Sequence, residues 1–350
     1  MKKQSLNRCK QSKSKIAVIN YRSKPLLARI VPFQMGGAIV RAVDSQRQDA
    51  AYKSIMEVMT GDVVQERLDL SHFGLYTAPS VLDKLASIVD LNLSSNYITV
   101  LPSSFGVLTC VEILQLDDNR LKSLPNSIGD LRRLRIFSMT RNKCTSLPEI
   151  KNLLLLEKFY CDQNNLTSLP ELPINIISIS CNKNQIGPML PDTITNLKAL
   201  RFLDVNNNRI SMLSHTMGRL HRLIRFDVGN NKITQMNTER EAMYGMKSLT
   251  CLSMSGNSLL FLPEELGLLD SLTQLNLSNN KTLTLLPPEL GELCDLKSLS
   301  INDCGLTKLP EGLDDYTTCL RDIDLSTNSI VKLHPCIGSI ISLKVGLSVH

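Results

Sequence analysis

Tryptophan is absent from the 350 residues and aromatic side chains are only 4 % of them, so any core this chain builds is aliphatic. No uncharged apolar run approaches the roughly 18 residues that a membrane-spanning helix takes; the tightest cluster is Leu153 to Leu156. Acidic residues are missing from positions 1–43, which carry ten Lys and Arg. The remainder, 44–350, holds 29 basic and 33 acidic residues and nets −4, so a strongly basic arm precedes a mildly acidic body. With 43 % hydrophobic and 21 % charged residues, the body has the material for a packed core, and global disorder and collagen-like structure are excluded.

Catalytic signatures are missing as well. There is no G-x-G-x-x-G, no Walker loop, no H-E-x-x-H, no G-x-S-x-G elbow and no kinase set. His215 and His221 lie six apart, a spacing that matches no metal motif, and read as surface histidines. The sequence predicts a non-enzyme that takes neither cofactor nor metal. Ten cysteines occur without any C-x-x-C pair, which points to reduced thiols in an intracellular, cytoplasmic protein. Disulfides in a secreted protein are the alternative.

What is present is a repeat. The run from Ile88 to Pro102 reads I-V-D-L-N-L-S-S-N-Y-I-T-V-L-P, and Val111 to Pro125 follows the same template. Indexed by the first apolar residue of the L-x-L pair, the copies start at Leu68, Leu91, Leu114, Phe137, Phe159, Ile179, Leu203, Phe226, Leu252, Leu275, Leu299 and Ile323. Their spacing runs from 20 to 26 residues, and Leu347-Ser-Val349 reads as the start of a thirteenth strand. One such unit, a short strand with a return segment, cannot bury its apolar face alone; stacked units share one core. Asn at the exit of each strand both donates and accepts hydrogen bonds, so it can satisfy buried backbone of its own and adjacent copies. It fills ten of the twelve positions: Asn96, Asn119, Asn142, Asn164, Asn184, Asn208, Asn231, Asn257, Asn280 and Asn328, with Phe73 and Cys304 in the other two. Cys144, Cys161 and Cys181 occupy leucine positions and read as core thiols, whereas Cys251 is expected to face outward as the one thiol worth testing for reactivity.

These residues carry a family resemblance. The chain is similar to leucine-rich repeat (LRR) proteins over 64–350. The phase L-P-x-x-[IL]-G-x-L, seen from Leu124 to Leu131, Leu262 to Leu269 and Leu286 to Leu293, resembles the intracellular Ras-group subclass and its plant relatives. The resemblance implies an α/β fold, a solenoid (horseshoe) with a parallel β-sheet on its concave face. It also implies a protein-interaction scaffold or adaptor in intracellular signalling and signal transduction, with a small GTPase as one partner class. Arg29-Ile-Val31-Pro-Phe33 resembles the docking motif for a protein phosphatase catalytic subunit, used by scaffolds of this kind beside their repeats.

Around the repeats, 44–63 is expected to form a helical N-terminal cap, with Ala51, Ile55, Val58 and Met59 on one face. The arm 1–43 has three readings: a solvated tail, an organellar presequence, or an anchor on an acidic partner such as nucleic acid. The last supports a second function, a structural subunit of a large assembly such as an organellar ribosome or a cytoskeletal complex.

Strand side chains alternate, so residues flanking and separating each L-x-L pair face out of the concave sheet. Most are small and polar. The middle copies depart from this with apolar Ile113, Ile136, Tyr160 and Phe202 and basic Arg141, Lys158, Lys183 and Arg225. Aromatic and Arg residues are common interface anchors, so these eight are the candidate partner-binding residues. Lateral packing among neighbours, with no partner, is the alternative.

Overall fold

The computed structural model describes residues 49–51, 53, 66–79, 82, 85, 87–236, 245–310 and 319–331, together with the backbone of 342–344. Arg29, Val31 and Phe33 lie outside the described residues, as do the rest of 1–43 and most of the expected cap. Within the cap, residues 49–51 and 53 are helical and Ala51 is fully buried in the core.

Among the described residues thirteen three-residue strands form one sheet in strict chain order. They are β1 Arg67–Asp69, β2 Asp90–Asn92, β3 Ile113–Gln115, β4 Ile136–Ser138, β5 Lys158–Tyr160, β6 Ser178–Ser180, β7 Phe202–Asp204, β8 Arg225–Asp227, β9 Cys251–Ser253, β10 Gln274–Asn276, β11 Ser298–Ser300, β12 Asp322–Asp324 and β13 Ser342–Lys344. Every neighbouring pair is parallel and in register on the template. Leu68 lies beside Leu91, Leu91 beside Leu114, and so on to Ile323 beside Leu343. The last pairing corrects the sequence expectation: β13 centres on Leu343 rather than Leu347. Its step of 20 residues from Ile323 matches the short step from Phe159 to Ile179.

From Leu68 to Leu325 the two apolar residues of each L-x-L pair are buried, and the later leucines join them in one continuous aliphatic core. Phe137 and Phe159, both fully buried, stack as tilted neighbours with ring centroids 5.5 Å apart. Returns are short 3₁₀ turns, as at Ser103–Val107, Asn126–Asp130 and Glu264–Leu268. Each of these follows a proline, at 102, 125 and 263, whose φ near −70° presets the turn while its missing N–H costs no bond.

All ten ladder asparagines make the bonds their position demands. Asn119 is typical: its Nδ2 donates to the Leu93 carbonyl of the preceding copy at 2.9 Å and to Leu116 of its own at 3.1 Å, while Oδ1 accepts from the Ile98 amide at 3.0 Å. Cys304 keeps part of the pattern, its thiol donating to the Leu277 carbonyl at 3.3 Å. The residue before the ladder position is left-handed in all twelve copies, with φ between 50° and 65° from His72 to Thr327. That twist aims its own amide at the next copy; Asp118, for example, donates to the Thr140 carbonyl at 2.9 Å.

Candidate binding face

Register decides which outward residues become neighbours. The first residue of each strand forms a row in which Ile113, Ile136, Lys158, Ser178, Phe202 and Arg225 are consecutive. Adjacent positions in a sheet lie about 4.8 Å apart, so this row is one continuous strip. Phe202 is 42 % exposed, unusually open for a phenylalanine. Lys158 and Arg225 are exposed, and Ile113 and Ile136 are half-buried. Tyr160 stands in the next row, between Ser138 and Ser180. Six of the eight candidate residues therefore share the sheet face across β3 to β8.

Arg141 and Lys183 do not join them. Both occupy the left-handed exit position beyond the strand, and Arg141 is ion-paired with Asp118, the equivalent residue of the preceding copy, at 2.6 Å. Arg201, exposed beside Phe202 at the entry edge, is a cation that the sequence reading passed over. Arg135 at the same edge is paired with Glu157.

The exit half of the face is acidic. Asp117 accepts hydrogen bonds from Thr140 of the next copy, through its amide at 2.7 Å and its hydroxyl at 2.8 Å, and also from the Ser138 hydroxyl. Asp162 accepts from the Ser180 hydroxyl and the Asn182 amide, both at 2.6 Å. Asp204 and Asp227 are opposed on β7 and β8. Burial raises the Asp204 carboxyl above its ordinary value; the Asn206 amide lowers it in part, and Asp227 and Asp162 add to the rise. Next to Asp, a Ser or Thr in the following copy was the available sequence signal for these bridges. The face thus carries apolar and positive groups along the strand entries and fixed carboxylates along the exits.

The thiols behave as their burial dictates. Cys144 is pushed up to about 12 by desolvation. Cys161 is raised well above the usual thiol range, first by burial and then by its contact with Cys181, whose Sγ lies 2.8 Å away. For Cys144 and Cys161 burial thus favours the thiol over the thiolate. Cys251 faces outward on β9 and is half-buried, with its thiol raised by burial. It is not the most accessible thiol: Cys294 and Cys319, on return segments, are exposed. His215 and His221 are both exposed, and His221 Nδ1 is 2.9 Å from the Gly245 carbonyl. Among the described residues no three His, Cys, Asp or Glu side chains converge as metal ligands, and no helix is long and apolar enough to cross a membrane.

Comparison with known proteins agrees with this architecture. Leucine-rich repeat models match residues 200–259, 87–108 and 271–293. Toll-like receptor 9 of Canis lupus familiaris is 30 % identical over 196 residues, which is 51 % of this chain and 17 % of the receptor. The chain spans less than a fifth of the length of the curated relatives it matches. Among solved structures, an LRR protein of Leptospira interrogans superposes with a TM-score of 0.66 at 27 % identity, covering 80 % of this chain and 77 % of that one. An internalin of Listeria monocytogenes gives 0.60 at 19 % identity, covering 85 % and 94 %, a likeness of fold alone. LRR domains typically serve as non-catalytic modules for protein–protein interaction. The repeats here are leucine-rich repeats, and the chain folds as a leucine-rich repeat solenoid.

Proposed function

We propose that this chain is a protein-binding module of the scaffold or adaptor type, whose partner lies across the entry half of the concave face between β3 and β8. The observation that carries the reading is the row Ile136, Lys158, Ser178, Phe202 and Arg225. It places an open phenylalanine between two exposed cations on a sheet whose other outward residues are mostly small or polar. A solvated sheet has no use for an aromatic there. Desolvated aromatic and Arg anchors, by contrast, contribute most of the energy of an interface. The partner surface that fits is apolar at its centre and acidic at its margins. It meets Lys158, Arg201 and Arg225 and keeps its carboxylates away from Asp204 and Asp227. The in-register ladders fix the backbone that carries these side chains before binding, which lowers the ordering cost of association.

The test is affinity capture from native cells with the wild-type chain and with Phe202→Ala and Tyr160→Ala, followed by binding measurements on each captured protein. A partner that binds the wild type and loses about tenfold or more with either variant supports the reading. Partners that are all indifferent to both variants overturn it.

A further inference from the structure

The concave face is one of two ladders. Where the chain leaves each strand it passes the ladder position and runs outward along the side of the array. There the residue after the ladder position donates its amide to the preceding copy in most copies: Arg120 to Ile98 at 2.9 Å, Lys143 to Leu121 at 2.8 Å, Arg209 to Ile186 at 2.8 Å and Lys232 to Ile210 at 2.7 Å. The exit side is therefore a rigid wall with its own repeating backbone bonds. Because no strand slips in register, equivalent residues line up along it.

Its composition differs from that of the body. In the ten segments 97–101, 120–124, 143–147, 165–169, 185–190, 209–213, 232–236, 258–262, 281–286 and 305–309 there is no Asp or Glu. The same segments carry seven cations, Arg120, Lys122, Lys143, Arg209, Lys232, Lys281 and Lys308, all exposed. This occurs in a body whose net charge is −4. Of the acids on the exit turns, Asp118 is paired with Arg141 and Asp303 with Lys281, while Glu149, Glu171, Asp192 and Glu264 follow the segments two residues on, beyond the proline that opens each return. Beside the cations, the wall shows large apolar side chains to solvent: Met189 at 38 %, Met212 at 51 %, Leu260 at 54 %, Phe261 at 43 % and Leu285 at 53 %. They fall in two pairs of adjacent copies, six with seven and nine with ten, on either side of copy eight, whose segment exposes Lys232 and buries Ile233 and Met236.

We propose that this exit wall docks on an anionic phospholipid surface, with the apolar side chains entering the headgroup boundary and the flanking Arg and Lys meeting the phosphates. Exposed apolar bulk combined with positive charge, with the carboxylates held beyond the prolines, is what such a surface selects. The extent of the wall favours a bilayer over an acidic helix. From Arg120 to Lys308 the cations span eight ladder steps, about 40 Å at ~4.8 Å per strand, which is far longer than a typical helix of 11–12 residues. The wall is separate from the concave face, so a membrane-bound array leaves its partner site open.

Sedimentation of the full chain with phosphatidylcholine vesicles, with and without phosphatidylserine, tests this. Two double variants on exposed positions keep the arm 1–43 intact, namely Phe261→Ser with Leu285→Ser and Arg209→Glu with Lys232→Glu, and thermal melting checks that each folds. The expected result is binding at least tenfold stronger to the anionic vesicles. The charge-reversal pair should reduce it about tenfold or more and the serine pair severalfold. Wild-type binding that is absent, or equal on the neutral vesicles, overturns the proposal. So does binding that neither variant changes, which would assign it to the arm. Polyglutamate binding as tight as vesicle binding and indifferent to the serine pair reassigns the wall to an acidic polypeptide and also overturns the proposal.

Discussion

Asn164 reaches backward to Met139: its Nδ2 donates to the Met139 carbonyl in the preceding copy at 2.9 Å, while its Oδ1 accepts the Cys144 amide at 3.0 Å. The same Nδ2 also donates to the Cys161 carbonyl at 3.1 Å. One side chain thus closes three main-chain groups that no water reaches, in two copies at once. Neither Ala nor Leu can do this.

Asn164→Ala is therefore expected to destabilise the array by about 3 kcal/mol, because each buried group left unpaired costs roughly 1–3 kcal/mol. Asn328→Ala should cost less. Asn328 is only partly buried, so its carbonyl partners Ile301 and Leu325 recover hydration when the side chain is removed. Urea melts of the two variants check the order, and equal losses would contradict it.

The left-handed residue before each ladder position gives a second prediction, with opposite signs at two sites. Gly256 has φ 65°, and a Cβ there would sit 2.3 Å from Asn230 Oδ1. Gly256→Ala should destabilise by about 1–3 kcal/mol. Thr327 holds φ 58° with a branched side chain. Thr327→Gly relieves that strain, and after the added freedom of the unfolded chain is subtracted the net gain is about 0.5 kcal/mol. Midpoints of denaturation in parallel should move in opposite directions.

Much of the fold is written in the repeat, and particular residues show where the text stops. Leu91, Leu114 and Phe137 announce their register because a shift by one residue would turn them outward. Asn96 to Asn328 announce the ladder because few side chains are small enough and both donate and accept. The left-handed position is announced only in part: Asn207, Asn230, Gly256 and Asn279 suit it, but His72, Arg141, Gln163 and Lys183 hold it too, and none of these four is a turn residue. For the same reason Arg141 and Lys183 were expected on the strip with Lys158, although the twist carries them off it. At the end of the array, Leu347 and Leu343 both open an L-x-[LV] pair, and only pairing against Ile323 selects the second. The binding face is the least legible part, since solvated and interacting sheets use the same outward positions. Only the anomaly of Phe202 separates them.

Asp204 provides a pH test. Burial and the facing Asp227 raise its carboxyl in the folded chain relative to the unfolded value near 3.8. A raised carboxyl favours the protonated form in the folded state. Its ionisation therefore subtracts stability as the pH rises above 3.8, and the loss is complete once the folded group has titrated. Asp204→Asn removes that charge and can keep the bond from the Asn206 amide, now at 3.0 Å. The variant should be more stable at pH 7 by under about 1 kcal/mol, the scale of a like-charge pair across strands. Below pH 3.8 the gain should vanish. A gain that persists at pH 3 would place the cause in packing rather than charge.

Phe137 and Phe159 allow the coupling between copies to be measured. Their rings are 5.5 Å apart at 33°, both fully buried, on adjacent strands. Replacing either with Leu loses apolar volume, but replacing both loses the ring contact only once. The double-mutant cycle should return a coupling of about 0.5–1.5 kcal/mol beyond the separate losses. Phe226, on β8 four ladder steps from Phe137, is the control: the cycle of Phe137→Leu with Phe226→Leu should be additive within about 0.5 kcal/mol. In an array stabilised by nearest-neighbour contacts, coupling is confined to touching copies. Equal coupling in the two cycles would mean that the array unfolds through interactions longer than one repeat.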